Sequence, residues 1–144
     1  MNYIKLLKNK KGLSLIEIMV AFSILVVAFI GLVQSFPFGL AINKSGENAT
    51  IASYLAQAKI EELASLGYSN INVGIIEVKH RLSDDSTNYL YNFQRQTEVN
   101  YIDSDLVECV GDQGMKKISA TIYSINAFSK QEESYNITTL ISER

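Results

Sequence analysis

Residues 8–33 read KNKKGLSLIEIMVAFSILVVAFIGLV, and the fold turns on how this stretch is interpreted. A lysine-rich leader ends at Gly12, and an apolar run with helical character begins at once, broken only by the carboxylate of Glu17. No further charge appears until Lys44, so 26 consecutive positions are uncharged. About 20 mostly apolar residues cross the hydrocarbon core of a bilayer, so the stretch is long enough to span one.

Three interpretations compete. A secretory signal peptide shares the basic start and apolar core, but such a signal is shorter and ends at a small-residue cleavage site; here the run continues well past that length. An ordinary membrane anchor explains the lysines and the apolar run. It leaves Glu17 unexplained, because a carboxylate in a spanning helix costs about 2.5 kcal/mol or more and marks a functional site by default.

The third interpretation uses every feature. Gly12-Leu13-Ser14-Leu15-Ile16-Glu17 resembles the signature of the type IV prepilin family. That resemblance implies cleavage after Gly12 by a prepilin peptidase, N-methylation of the new terminus at Leu13, and a glutamate, Glu17, as fifth residue of the mature chain. Most members carry phenylalanine where this chain has Leu13. The family also supplies a partner for Glu17, the freed amine of a neighbouring subunit. The chemistry agrees: a helix N-terminus is electropositive, cleavage adds an ammonium, and a buried carboxylate requires a cation in good geometry.

Beyond the span, Pro37 and the glycines at 39 and 46 predict a kink or a locally weakened helix. Ala49, Ala52, Ala56, Ile60 and Leu63 then recur at helical spacing, with Thr50, Ser53, Gln57 and Glu61 opposite, so the second half is amphipathic. Asn48 is a candidate N-cap for a helix interrupted at Gly46, and Gly67 a candidate C-terminal stop. Residues 55–63, LAQAKIEEL, resemble the same helix in minor pilins and pseudopilins of the PilV or type II secretion I-subunit kind. The closing residues 136–142, NITTLIS, resemble the last strand of PilV-type pilins.

After Gly67 the period changes to two. A short strand is expected at Ile75–Val78 and a polar loop at 83–88. A long strand follows, with Tyr89, Tyr91, Phe93, Arg95, Thr97, Val99 and Tyr101 on one side. Two more are expected, one carrying Ile118, Ala120 and Ile122, the other Tyr135, Ile137, Thr139 and Ile141. The expected fold is therefore α+β and pilin-like: one long N-terminal helix, half transmembrane and half amphipathic, packed on an antiparallel sheet of three or four strands. The corresponding segments are a leader at 1–12, a transmembrane half at 13–42, an amphipathic half at 43–67 and a β head at 68–144.

Composition narrows the function. The 144 residues carry a formal charge of −2, and losing the leader removes four lysines and no acid, leaving −6. An acidic product disfavours nucleic-acid binding, unless Lys116, Lys117 and Lys130 share one face. The leader lysines predict a cytoplasmic N-terminus and an exported C-terminal part by the positive-inside bias. One cysteine, Cys109, allows no internal disulfide. One histidine, His80, leaves neither a transition-metal set nor a catalytic triad marked in the sequence. Asp103, Asp105 and Glu108 form an acidic loop without the spacing of an EF-hand.

The expectation is a non-enzymatic minor pilin or pseudopilin with no cofactor, no metal and no small-molecule substrate. Its partners would be the prepilin peptidase, other pilins and the inner membrane, and its destination a type IV pilus or a type II secretion pseudopilus, with a tip or priming position implied by the PilV-like segments. Two alternatives differ in class. One is a permanently anchored extracytoplasmic binding or adhesion module; the other is a DNA-uptake pseudopilin.

Overall fold

The computed structural model describes residues 12, 14–126 and 129–143. One helix, α1 (Leu15–Ser65), is followed by five strands: β1 (Gly74–Arg81), β2 (Phe93–Ile102), β3 (Glu108–Cys109), β4 (Met115–Ile125) and β5 (Glu132–Ser142). The strands form one antiparallel sheet in the order β1-β2-β4-β5, with β3 paired to the end of β2. The α+β layout matches the expectation, and the strand beyond the expected three or four is the two-residue β3 within the 103–115 connection. The chain divides into two compact units at Gly39–Leu40.

In the first unit α1 is apolar all round and open to its surroundings: Phe22 is 66% exposed and Leu32 71%. A helix of this kind, left uncovered by the described residues of its own unit, suits lipid or the helices of other chains rather than water. It is long and apolar enough to cross a membrane.

The helix continues without a break through Pro37 and Gly46. The expected restart at Asn48 therefore does not occur, and Asn48 is no cap. Its Nδ2 donates instead to the carbonyl of Ile125, 3.4 Å away, tying the helix to the end of β4. Helix propensity penalises single glycines by about 1 kcal/mol, and the packing of the following turns outweighs it. A proline in mid-helix forfeits one hydrogen bond, which a long helix tolerates.

In the second unit the amphipathic half packs as its spacing predicts. Ala52, Ala56, Ile60 and Leu63 are buried, and they share one core with Phe93 and Val99 of β2 and Ile118, Ala120 and Ile122 of β4. Alanines at 52, 56 and 120, all fully buried, let the helix backbone approach the sheet closely. The inward positions of β4 alternate strictly with half-exposed ones, which is the period-2 signature seen in the sequence.

Two segments depart from expectation. β1 runs over Gly74–Arg81 rather than Ile75–Val78, and its pairing with β2 shifts register between Ile75 and Glu77 and again between Glu77 and His80. Each shift inserts an extra residue and breaks the alternation, so Ile75 and Val78 both end up exposed. β2 starts at Phe93, because Tyr89–Asn92 winds into a 3-10 turn whose Leu90 N–H is capped by the Asn88 side chain at 2.9 Å.

Gly67 ends the helix as expected. It has φ +78° and ψ 156°, a combination essentially closed to other residues, and its N–H donates to the Ala64 carbonyl at 3.2 Å. A Cβ there would meet no neighbour, so only backbone strain opposes substitution. Gly67→Ala is expected to destabilise the second unit by about 2 kcal/mol. Thermal unfolding of the full chain in detergent measures it; an unchanged midpoint would show that the backbone relaxes without cost.

Candidate functional site

The residues singled out in the N-terminal stretch are Gly12, Leu13 and Glu17. Leu13 lies outside the described residues. Gly12 is exposed; a Cβ built on it meets nothing within 4 Å, and its φ is not in the left-handed region. Among the described residues nothing requires glycine at this position. Glu17 sits in the first turn of α1 and is exposed among Ile16, Ile18 and Val20. Among the described residues no cation lies within ion-pair distance of it. Among the described residues, the favourable field there is that of the electropositive helix start.

The other candidates fall apart in space. Lys116 and Lys117 are consecutive on β4 and so face opposite sides of the sheet. Lys116 is buried on the helix side, where its Nζ donates to the carbonyls of Tyr68 (2.8 Å) and Ile71 (2.9 Å) and lies 4.1 Å from the Tyr68 ring centre. Lys117 is paired with Glu108. The condition for a basic face at 116, 117 and 130 is not met. In the acidic loop, Asp103 accepts the N–H groups of Asp105 and Val107, each at 2.9 Å, while Glu108 is engaged by Lys117. Among the described residues no three His, Cys, Asp or Glu side chains converge on a metal position. Cys109 is half-buried, with Sγ 3.2 Å from the Gly111 carbonyl, and His80 is exposed on β1.

Sequence reasoning missed the least exposed ionic cluster among the described residues. Glu77 on β1 accepts from Arg95 Nε (2.8 Å) and a terminal guanidinium nitrogen (2.9 Å), and from Thr97 Oγ1 (2.7 Å). Lys59 of α1 stands 3.3 Å from it and also pairs with Glu62 at 2.9 Å. Burial opposes ionisation of Glu77, but the Arg95 and Thr97 hydrogen bonds and the charges of Arg95 and Lys59 together win, taking it from 4.5 down to about 2. A second tie joins Tyr68 to Asp112. Burial and then that hydrogen bond push the Tyr68 hydroxyl up, while the Tyr68 hydroxyl and the Gly114 N–H hold Asp112 below the carboxylate range. The first cluster pins the helix to the sheet, and the second ties the turn after it to the β3–β4 connection. A lysine on an apolar helix stripe, Lys59, was the available signal.

No curated protein and no solved structure matches the chain. A family model described as the prokaryotic N-terminal methylation motif does match, over residues 7–33. Those 27 of 144 residues contain Gly12, Leu13 and Glu17 and most of the apolar run, and they indicate a type IV prepilin-like protein.

Proposed function

We propose that this chain is a minor pilin or pseudopilin, a structural subunit and not an enzyme. In this reading it waits in the inner membrane as a single-pass protein, N-terminus inside and β head exported. A prepilin peptidase cuts after Gly12, Leu13 is methylated, and the apolar half of α1 slots into the helical core of a type IV pilus or a type II secretion pseudopilus, at a tip or priming position. Head-to-tail contacts that do not close give open filaments.

The observation that carries the reading is the methylation motif at residues 7–33. Two features support it. Gly12 is a glycine that no described residue packs against, which fits a requirement imposed by a peptidase. Glu17 is an ionisable group on an apolar helix without a cation near it among the described residues, which fits a partner supplied by another subunit.

Intact mass of the membrane-extracted protein, with and without a coexpressed prepilin peptidase, tests this. The expected result is loss of Met1 to Gly12, accompanied by the mass of one methyl group on Leu13. A chain that keeps its leader beside an active peptidase would instead be a permanently anchored extracytoplasmic module, and Glu17 would lose its proposed partner.

A further inference from the structure

The two ends of the sheet in the second unit carry complementary surfaces. Phe93 of β2 lies opposite Ser124 of β4 at one end, and Tyr101 lies opposite Lys116 at the other. The ten residues of β2 set these ends about 30 Å apart. At the first end, a cleft of about 340 Å³ is bordered by Lys44 and Glu47 of α1, by Tyr89, and by Ile125 and Lys130 at the β4–β5 connection. Tyr89 and Ile125 are more than half exposed. Lys44 is paired with Glu47 at 2.9 Å. Lys130 has no ion pair among the described residues.

At the second end, the connection after β2 makes a closed turn. The Asp103 N–H donates to the Val107 carbonyl at 2.9 Å and the Leu106 N–H to the Asp103 carbonyl at 3.0 Å. The Asp103 carboxylate accepts the N–H groups of Asp105 and Val107. Leu106 holds φ +64°, a backbone region that bulky residues avoid. Leu106, Val107 and Val110 are exposed, the last completely. Asp105 is exposed too and has no ion pair among the described residues. The turn is thus a preorganised apolar tip with an unmatched negative charge.

We propose that this tip docks in the cleft of a second copy of the chain. Asp105 of one copy meets Lys130 of the next, and Leu106 and Val107 cover Tyr89 and Ile125. Charge complementarity selects the occupant. The acid that matches Lys130 stands at the far end of its own sheet, out of reach within one chain, so another copy must supply it. Preorganisation of the tip lowers the cost of ordering it on contact. Tip and cleft are different surfaces, so the contact is heterologous and repeats head to tail. Burying one loop tip makes a weak interface, effective where chains are already held close together. The contact lies within residues 40–144 and goes beyond the pilin reading, which joins subunits through the apolar helix.

Thiol cross-linking of full-length chains in detergent with a short bismaleimide tests it, with Cys109→Ser in every chain. One chain carries Ser104→Cys beside the tip, the other Ser129→Cys beside the cleft, both at exposed positions. The expected result is a cross-linked dimer from the mixture and only background from either chain alone. Lys130→Glu in the second chain sets like charges together and should cut the mixed yield about tenfold. Asp105→Lys in the first chain should do the same, and the two reversals combined should restore it. Equal yields from mixed and single-variant samples, or a mixed yield that neither reversal changes, would overturn the inference. Leader cleavage, read separately by intact mass, does not depend on these residues, so the pilin reading stands or falls on its own test.

Discussion

Glu77→Gln is expected to lower the stability of the second unit by about 3 kcal/mol, because it leaves Arg95 and Lys59 facing each other across a neutral amide. The side chains of Lys59, Glu77 and Arg95 are 9%, 18% and 17% exposed, so water cannot fully replace the lost carboxylate. For a unit of this size the loss corresponds to more than about 10 °C in the unfolding midpoint, followed by near-ultraviolet circular dichroism of the tyrosines in detergent. Glu62→Gln is the contrast. Glu62 pairs with the same lysine but is 62% exposed, and its loss should cost less than about 1 kcal/mol.

The same carboxylate gives the head an acid limit. Glu77 is held at about 2 in the folded protein against an ordinary 4.5, so the unfolded chain takes up its proton first as pH falls. Its contribution to stability is complete above about pH 4.5 and is lost progressively down to pH 2. The gap between wild type and Glu77→Gln should therefore narrow across that window. A constant gap from pH 6 to pH 2.5 would show that Glu77 acts through packing and not through its charge.

The second large effect concerns the proposed assembly. Glu17→Ala is expected to leave leader cleavage intact and to reduce incorporation into filaments at least tenfold. Pairing of a carboxylate with a neighbour's terminal ammonium in a nonpolar bundle is worth enough to offset its burial, which alone costs about 2.5 kcal/mol. Glu17→Gln keeps the size and hydrogen-bonding capacity but not the charge, and it should fail as Glu17→Ala does. Cleavage is read by intact mass and incorporation by the subunit content of sheared filaments. Wild-type incorporation of either variant would sink the pairing idea while leaving the processing idea standing.

Much of the architecture was legible because it rests on periodicity. The uncharged run after Glu17 encodes a helix apolar all round, while the 3.6-residue recurrence from Ala49 to Leu63 and the alternation at Ile118, Ala120 and Ile122 each encode a face that packs where the sequence places it. The N-terminal methylation motif was legible for a different reason, since a short linear signal is read by its local order. What escaped was governed by contacts distant in sequence. Nothing local in the sequence marks Glu77 and Arg95 as a pair; the bulges in β1 and the contact with Lys59 bring them together. Lys116 looked like part of a basic pair until the alternation of β4 sent it under Tyr68.

By itself, then, the sequence determined the N-terminal methylation motif, the apolar half of the helix, the amphipathic half and the α+β class, because hydrophobic patterning and short motifs act within a few residues of one another. Only the tertiary structure decided that the helix runs unbroken through Pro37 and Gly46. It likewise decided the bulged course of β1, the 3-10 turn that replaces the start of a strand at Tyr89, and the ionic cluster between helix and sheet. The physical reason is that register, bulges and buried charge pairs are chosen by which partners lie across the sheet and over it. A charged side chain is buried only where the folded chain has already assembled the groups that neutralise it.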